Sequence, residues 1–135
     1  MATQENKAVS NKVAEAIGRG DFDAFDQLMA PDLAEEFKRD IAEIHQAFPD
    51  YHGANEIQIA EGDLVANRYV FHGTHRGDFL GIEPTGRELT FEGVTIDRVV
   101  DGKIVEIYFG WDPDSVVEQL GAVLHAKPVE EANHT

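Results

Sequence analysis

An α+β domain is predicted, with helices packed in the concavity of a curved, mainly antiparallel sheet that encloses a cone-shaped cavity. Three observations predict it. Apolar residues recur at helical spacing through the first third of the chain, they alternate at strand spacing around tight turns in the remainder, and 135 residues suffice for one core.

The first helix should run from a Thr3 cap to about Ile17, with Val9, Val13, Ala16 and Ile17 on one stripe and Gly18 and Gly20 stopping it. Asp21 caps the next, whose Phe22, Phe25, Leu28 and Met29 face the core until Ala30-Pro31. A third, from about Leu33 to Phe48, places Phe37, Ile41, Ile44, His45 and Phe48 on one face, and Pro49 ends it by excluding Phe48 from helical backbone.

Strands follow at Glu56 to Ala60, Leu64 to Arg76, Arg87 to Val100 and Lys103 to Asp112, before a last helix from Pro113 or Asp114 to about Leu124. Residues 1 to 135 form one domain, and the tail from about 126 has nothing to bury and should fray. Asp101-Gly102 supplies the positive φ of a two-residue turn, which sets the last hairpin's register. Pairing Val100 with Lys103 gives one mixed face, Phe91, Thr95, Asp97, Val99, Ile104, Glu106, Tyr108 and Asp112. The other is apolar: Val94, Ile96, Val105, Ile107, Phe109 and Trp111, with Arg98 among them. The mixed face should line a pocket and the apolar one a subunit contact, which predicts a homodimer through Ile96, Ile107 and Phe109. Pairing Arg76 with Arg87 sets Arg68 and His72 beside the mixed face; Trp111 joins the pocket only where the strand bulges.

Composition narrows the function. A formal charge of −15 repels nucleic acid and anionic membranes, so neither is an expected partner. The absence of cysteine excludes disulfides and thiolate chemistry and suits a cytoplasmic address. No metal-ligand spacing, phosphate-binding loop or nucleophile elbow occurs, so no cofactor or metal is expected. Acid/base chemistry remains, by a carboxyl whose pKa an apolar pocket raises toward neutrality. Such a carboxyl needs groups like Phe91, Tyr108 and Trp111 around it, and the acids of the mixed face are Asp97, Glu106 and Asp112.

FPDYH at Phe48 to His52, GTHRGDFLGIEPTGRELTFEG at Gly73 to Gly93, and DGKIVE with the later WD and QLG between Asp101 and Gly121 resemble the SnoaL-like polyketide cyclases and ester cyclases of the nuclear-transport-factor-2-like superfamily. The resemblance implies the cone-shaped barrel and cofactor-independent ring closure by intramolecular aldol condensation of a poly-carbonyl small molecule. It assigns proton transfer to Asp112. It also sets Asp97 near the place where ketosteroid isomerases keep a protonated Asp as donor. His72, Arg68 and Asp97 would polarise the substrate oxygen, and His45, Phe48, Tyr51, Phe91, Tyr108 and Trp111 would shape the pocket. The alternatives are an isomerase, dehydratase, epoxide hydrolase or pericyclase on the same scaffold, or a non-catalytic ligand-binding domain. Ile107-Tyr108 replaces the His-Trp that relatives often carry after the Glu of GKIVE.

Overall fold

The computed structural model describes residues 2 to 121. Three helices come first: α1 (Ala2–Arg19), α2 (Asp23–Leu28) and α3 (Pro31–Ala47). Four strands follow, β1 (His52–Glu61), β2 (Leu64–Thr74), β3 (Glu88–Val100) and β4 (Lys103–Trp111), and then α4 (Pro113–Gln119). The strands form one antiparallel sheet in sequence order, as expected of an α+β meander.

Helix ends differ from the expectation in instructive ways. Thr3 lies within the first turn of α1, while Phe22, not Asp21, stands at the N-cap of α2 without a side-chain cap bond. Pro31 opens α3 instead of closing α2, because proline's missing N–H costs nothing at the first helical position. The expected end of the last helix near Leu124, and the tail beyond it, lie outside the described residues.

The helices cover one face of the sheet. Val9, Val13, Ala16 and Ile17 of α1, Phe25 of α2 and Ala34 and Ile41 of α3 are buried against Val65, Tyr69, Phe71, Leu89, Phe91, Val99 and Ile104. Phe48 occupies the hub. Its ring lies edge-on to Phe79 and Phe91, with centroids 5.0 and 4.9 Å away, and beside His75 at 5.5 Å. The expected Asp-Gly turn is present, with φ of 51° at Asp101 and 78° at Gly102.

Two irregularities reset the strand faces. In β1 the pairing shifts between Asn55 and Ile57, leaving Glu56 as an extra residue; in β4 Ile104 pairs Val99 but Glu106 pairs Arg98, leaving Val105 extra. Since side chains alternate, one inserted residue exchanges the two faces for everything beyond it.

Candidate functional site

Below the bulge the concave face of β4 carries Ile104, as expected. Above it, Ile107 pairs Asp97, Phe109 pairs Thr95 and Trp111 pairs Gly93, so these three point inward with their partners. The expected inward set of Glu106, Tyr108 and Asp112 is thereby corrected. Tyr108 is 55% exposed on the convex face, its hydroxyl donating to Glu106 Oε2 at 3.2 Å. Trp111 joins the concave side by the one route that the alternation allows, a bulge.

The β2 to β3 register is also one residue from the expected one, since Thr74 pairs Glu88 and Phe71 pairs Phe91. Asn67, Tyr69 and Phe71 therefore point inward, and Arg68 and His72 outward. Arg68 binds Glu56 at 2.9 Å and Glu92 at 2.6 Å across the convex surface. His72 is exposed, its ring nitrogen 3.3 Å from Thr90 Oγ1. Neither faces the concave side, so neither is placed to polarise a substrate oxygen there.

What the concave face does assemble is a run of aromatic rings. Tyr51 stacks on Phe71 at 4.8 Å, Phe71 lies edge-on to Tyr69 at 5.9 Å, and Tyr69 is parallel to Phe109 within 4° at 6.0 Å. Gly93 permits this, because a Cβ there would lie 2.2 Å from the Tyr69 hydroxyl. Phe109 is nonetheless 61% exposed and Trp111 36% exposed, although both face the helical side of the sheet. The upper end of the concavity is thus an open aromatic platform. Burial pushes the Tyr69 hydroxyl pKa up to about 12 and the Tyr51 hydroxyl up as well. Both remain protonated donors.

Other expected pocket residues are closer to core. Phe48 and Phe91 are buried among one another, and Tyr51 is buried beside them. His45 is half-buried, its Nε2 2.9 Å from the Ile17 carbonyl oxygen and its ring edge-on to Tyr51 at 6.2 Å.

Deeper on β3, Asp97 is 5% exposed, the one buried carboxyl among the described residues. Ser10 Oγ donates to its Oδ2 at 2.7 Å and Asn67 Nδ2 at 3.0 Å, and Asn67 also reaches Thr95 Oγ1 at 3.1 Å. Gln58 donates to Asn67 Oδ1 at 2.8 Å and to the Lys7 carbonyl oxygen at 3.2 Å, extending the network to the helix. Desolvation raises the Asp97 pKa, opposed by the hydrogen bonds from Ser10, Asn67 and Thr95. A raised carboxyl pKa means that the folded state holds its proton longer than the unfolded chain, so stability falls as pH climbs past the ordinary value of 3.8. Asp97→Asn should lose that decline: chemical denaturation from pH 4 to pH 8 should show the wild type weakening relative to the variant as pH rises.

Asp112 sits at the corner where β4 turns into α4. Its side chain is exposed, and its Oδ1 accepts from the Ser115 N–H at 3.2 Å as the N-cap of that helix. The expectation of a carboxyl buried in a dry pocket is not what the fold provides. The cap engages one carboxylate oxygen, and Asp112 follows Trp111 directly in the chain. Among the described residues, no three His, Cys, Asp or Glu side chains gather where a metal ion could be held.

Reasoning from the sequence missed Tyr69, Phe71, Phe109, Asn67 and Ser10. Alternation within Leu64 to Arg76 puts Asn67, Tyr69 and Phe71 on one side of the strand and Arg68 and His72 on the other. An aromatic-rich inward set opposite Phe91 was the available signal.

Similarity to known proteins agrees with this geometry. A family model described as SnoaL-like polyketide cyclase matches residues 7–120. The aklanonic acid methyl ester cyclase AcmA of Streptomyces galilaeus is 33% identical over 98 residues, 72% of this chain and 66% of that protein. The nogalonic acid methyl ester cyclase of Streptomyces nogalater is 33% identical over 79 residues, 58% of this chain and 59% of that protein. The chain therefore spans about three fifths to two thirds of these relatives' length. Among solved structures, AclR of Streptomyces galilaeus, provisionally assigned as a hydroxylase, superposes with a TM-score of 0.80 at 28% identity, covering 88% of this chain and 97% of its own. IdmH of Streptomyces antibioticus, provisionally assigned as a polyketide cyclase, superposes at 0.78 with 29% identity, covering 88% and 99%. With the model spanning from α1 to the end of α4, the chain belongs to the SnoaL-like polyketide cyclase family.

Proposed function

We propose that this chain is a cofactor-independent cyclase that closes a ring by intramolecular aldol condensation in a polycyclic, poly-carbonyl polyketide ester. One observation carries the reading: the platform of Tyr69, Phe109 and Trp111 lies on the concave side with Phe109 and Trp111 open to solvent, and the next residue along the chain, Asp112, is an exposed acid. Flat rings are what a planar fused-ring substrate stacks on. The relatives named as methyl ester cyclases support the choice of an ester.

In this scheme Asp112 takes a proton from a carbon flanked by two carbonyls, the resulting enolate attacks an internal carbonyl, and the new alkoxide takes the proton back. Docking of the substrate over Trp111 would strip water from the carboxylate and strengthen it as a base. Asp97 pairs Ile107, five residues before Asp112, so at ~3.3 Å per residue the two backbone positions stand roughly 16 Å apart along the strands, too far for both side chains to serve the same carbon. Asp97 in the proton-transfer role is the second reading, favoured by its burial and raised pKa.

The experiment is turnover of aklanonic acid methyl ester by the wild type, by Asp112→Asn and by Asp97→Asn. Loss in the first variant alone supports the leading reading, loss in the second alone the other, and no turnover by the wild type removes both. Phe109→Ala should raise KM about fivefold with kcat and Tm little changed, since an aromatic pair adds roughly 1 kcal/mol and this ring is mostly exposed.

Cytoplasmic location and a homodimer belong to the same proposal, and no helix among the described residues is long and apolar enough to cross a membrane. The bulge moves Ile107 and Phe109 out of the subunit contact expected for them. The convex patch is Ile57, Ile59, Val94 and Ile96, all exposed. Ile96→Glu should shift sedimentation from dimer to monomer.

A further inference from the structure

The convex face carries a second feature that the cyclase chemistry does not use. Where β1, β2 and β3 come together, a cleft of about 330 Å³ opens among Asp50, His52, His72, Thr74, Glu88 and Thr90. His52 and His72 are directly paired across the antiparallel strands, so their side chains share one face. Their ring centroids are 5.8 Å apart.

Hydrogen bonding sets how these rings present themselves. His52 Nδ1 lies 2.7 Å from the Asp50 carbonyl oxygen, which can only accept, so Nδ1 carries the proton and the neutral ring offers a lone pair at Nε2. His72 Nδ1 lies 3.3 Å from Thr90 Oγ1, a hydroxyl able to accept from it and so to leave Nε2 as the free lone pair. An imidazole whose second nitrogen donates to a carbonyl or hydroxyl is the form in which histidine binds metal ions.

The spacing fits as well. With metal to nitrogen bonds of about 2.0–2.1 Å, an imidazole centroid stands ~3.2 Å from the ion, so two ligands separated by roughly 110–150° have centroids about 5.2–6.2 Å apart. The observed 5.8 Å lies inside that span. The Asp50 carboxylate is fixed beside the rings by the Thr74 N–H and hydroxyl, both at 2.7 Å. Glu88, paired with Thr74, adds a second negative charge on the same face.

We propose that His52 and His72 form a two-imidazole site for a borderline divalent transition ion such as Zn²⁺ or Cu²⁺. Water completes the coordination, and Asp50 and Glu88 supply the compensating charge. The bound ion clips the start of β1 to the end of β2. It does so on the face opposite the aromatic platform, so this site stands independently of the cyclase reading.

The test uses the full, tag-free chain after EDTA treatment, titrated calorimetrically with ZnCl₂ and followed by thermal melting. The expected result is one equivalent bound and a raised Tm. His52→Gln and His72→Gln should each lose both effects while keeping the wild-type circular dichroism, as befits exposed positions. A His125→Ala/His134→Ala variant should keep both. Cu²⁺ electron paramagnetic resonance should show two coupled nitrogens, falling to one in either single variant. Uptake that survives the His52→Gln/His72→Gln double substitution, or no uptake by the folded wild type, overturns the proposal.

Discussion

Asp112→Asn should lower kcat for cyclisation at least about a hundredfold while leaving Tm within a degree or two of wild type. The combination is informative because the helix cap that Asp112 forms and the proton transfer proposed for it are separable. Its side-chain oxygen caps α4 through the Ser115 N–H, and asparagine is as good an N-cap as aspartate, so the corner between β4 and α4 keeps its shape. What asparagine cannot do is accept and return a proton. A pocket that merely folds its substrate would keep most of its rate in this variant, and steady-state kinetics with a melting curve on the same sample separates the outcomes. Asp112→Ala would not, since it would remove the cap as well.

Phe48→Ala should destabilise the fold by about 3–5 kcal/mol. The ring is fully buried and holds together Phe91 of β3, Phe79 and His75, with its backbone N–H tied to the Ile44 carbonyl oxygen at the end of α3. Truncation leaves a cavity that these rings cannot collapse into, because each is held by others: Phe91 by Tyr51, and Tyr51 by Phe71. For a chain of this size such a loss lowers Tm by more than about 10 °C. Urea denaturation with an unchanged m-value would locate the effect in the native core. Phe48→Leu, which keeps most of the volume, should lose much less.

The sequence made the element order legible because that information is local. Helical stripes, the Asp101-Gly102 turn and the alternation within each strand depend on neighbours a few residues apart. The inward orientation of Phe91, Thr95, Asp97 and Val99 on β3 also followed, since no bulge interrupts that strand's own alternation. What failed was parity between strands. Val105 is a β-branched residue in a run of strand formers, and nothing in IVEIYF marks it as the unpaired one, so Tyr108 and Asp112 were expected where Phe109 and Trp111 stand. The β2 to β3 register failed for a related reason. The connection from His75 to Arg87 contains its own small turn, with Phe79 bridged to Ile82 and positive φ at Leu80 and Gly81, and that consumes residues a simple count cannot assign. Arg68 and His72 consequently changed sides.

That unpaired residue in β4 has an evolutionary reading. Because the bulge fixes the parity, removing a paired residue just beyond it, such as Ile107, would turn Tyr108 and Asp112 inward in place of Phe109 and Trp111, exchanging a hydrocarbon lining for a hydroxyl and an acid through loss of a single codon, whereas loss of Val105 itself would leave both faces as they are. Point substitution would need several coordinated changes to do the same. A lineage built on this scaffold can therefore switch chemistries by insertion or deletion beside one hairpin, without rebuilding its core.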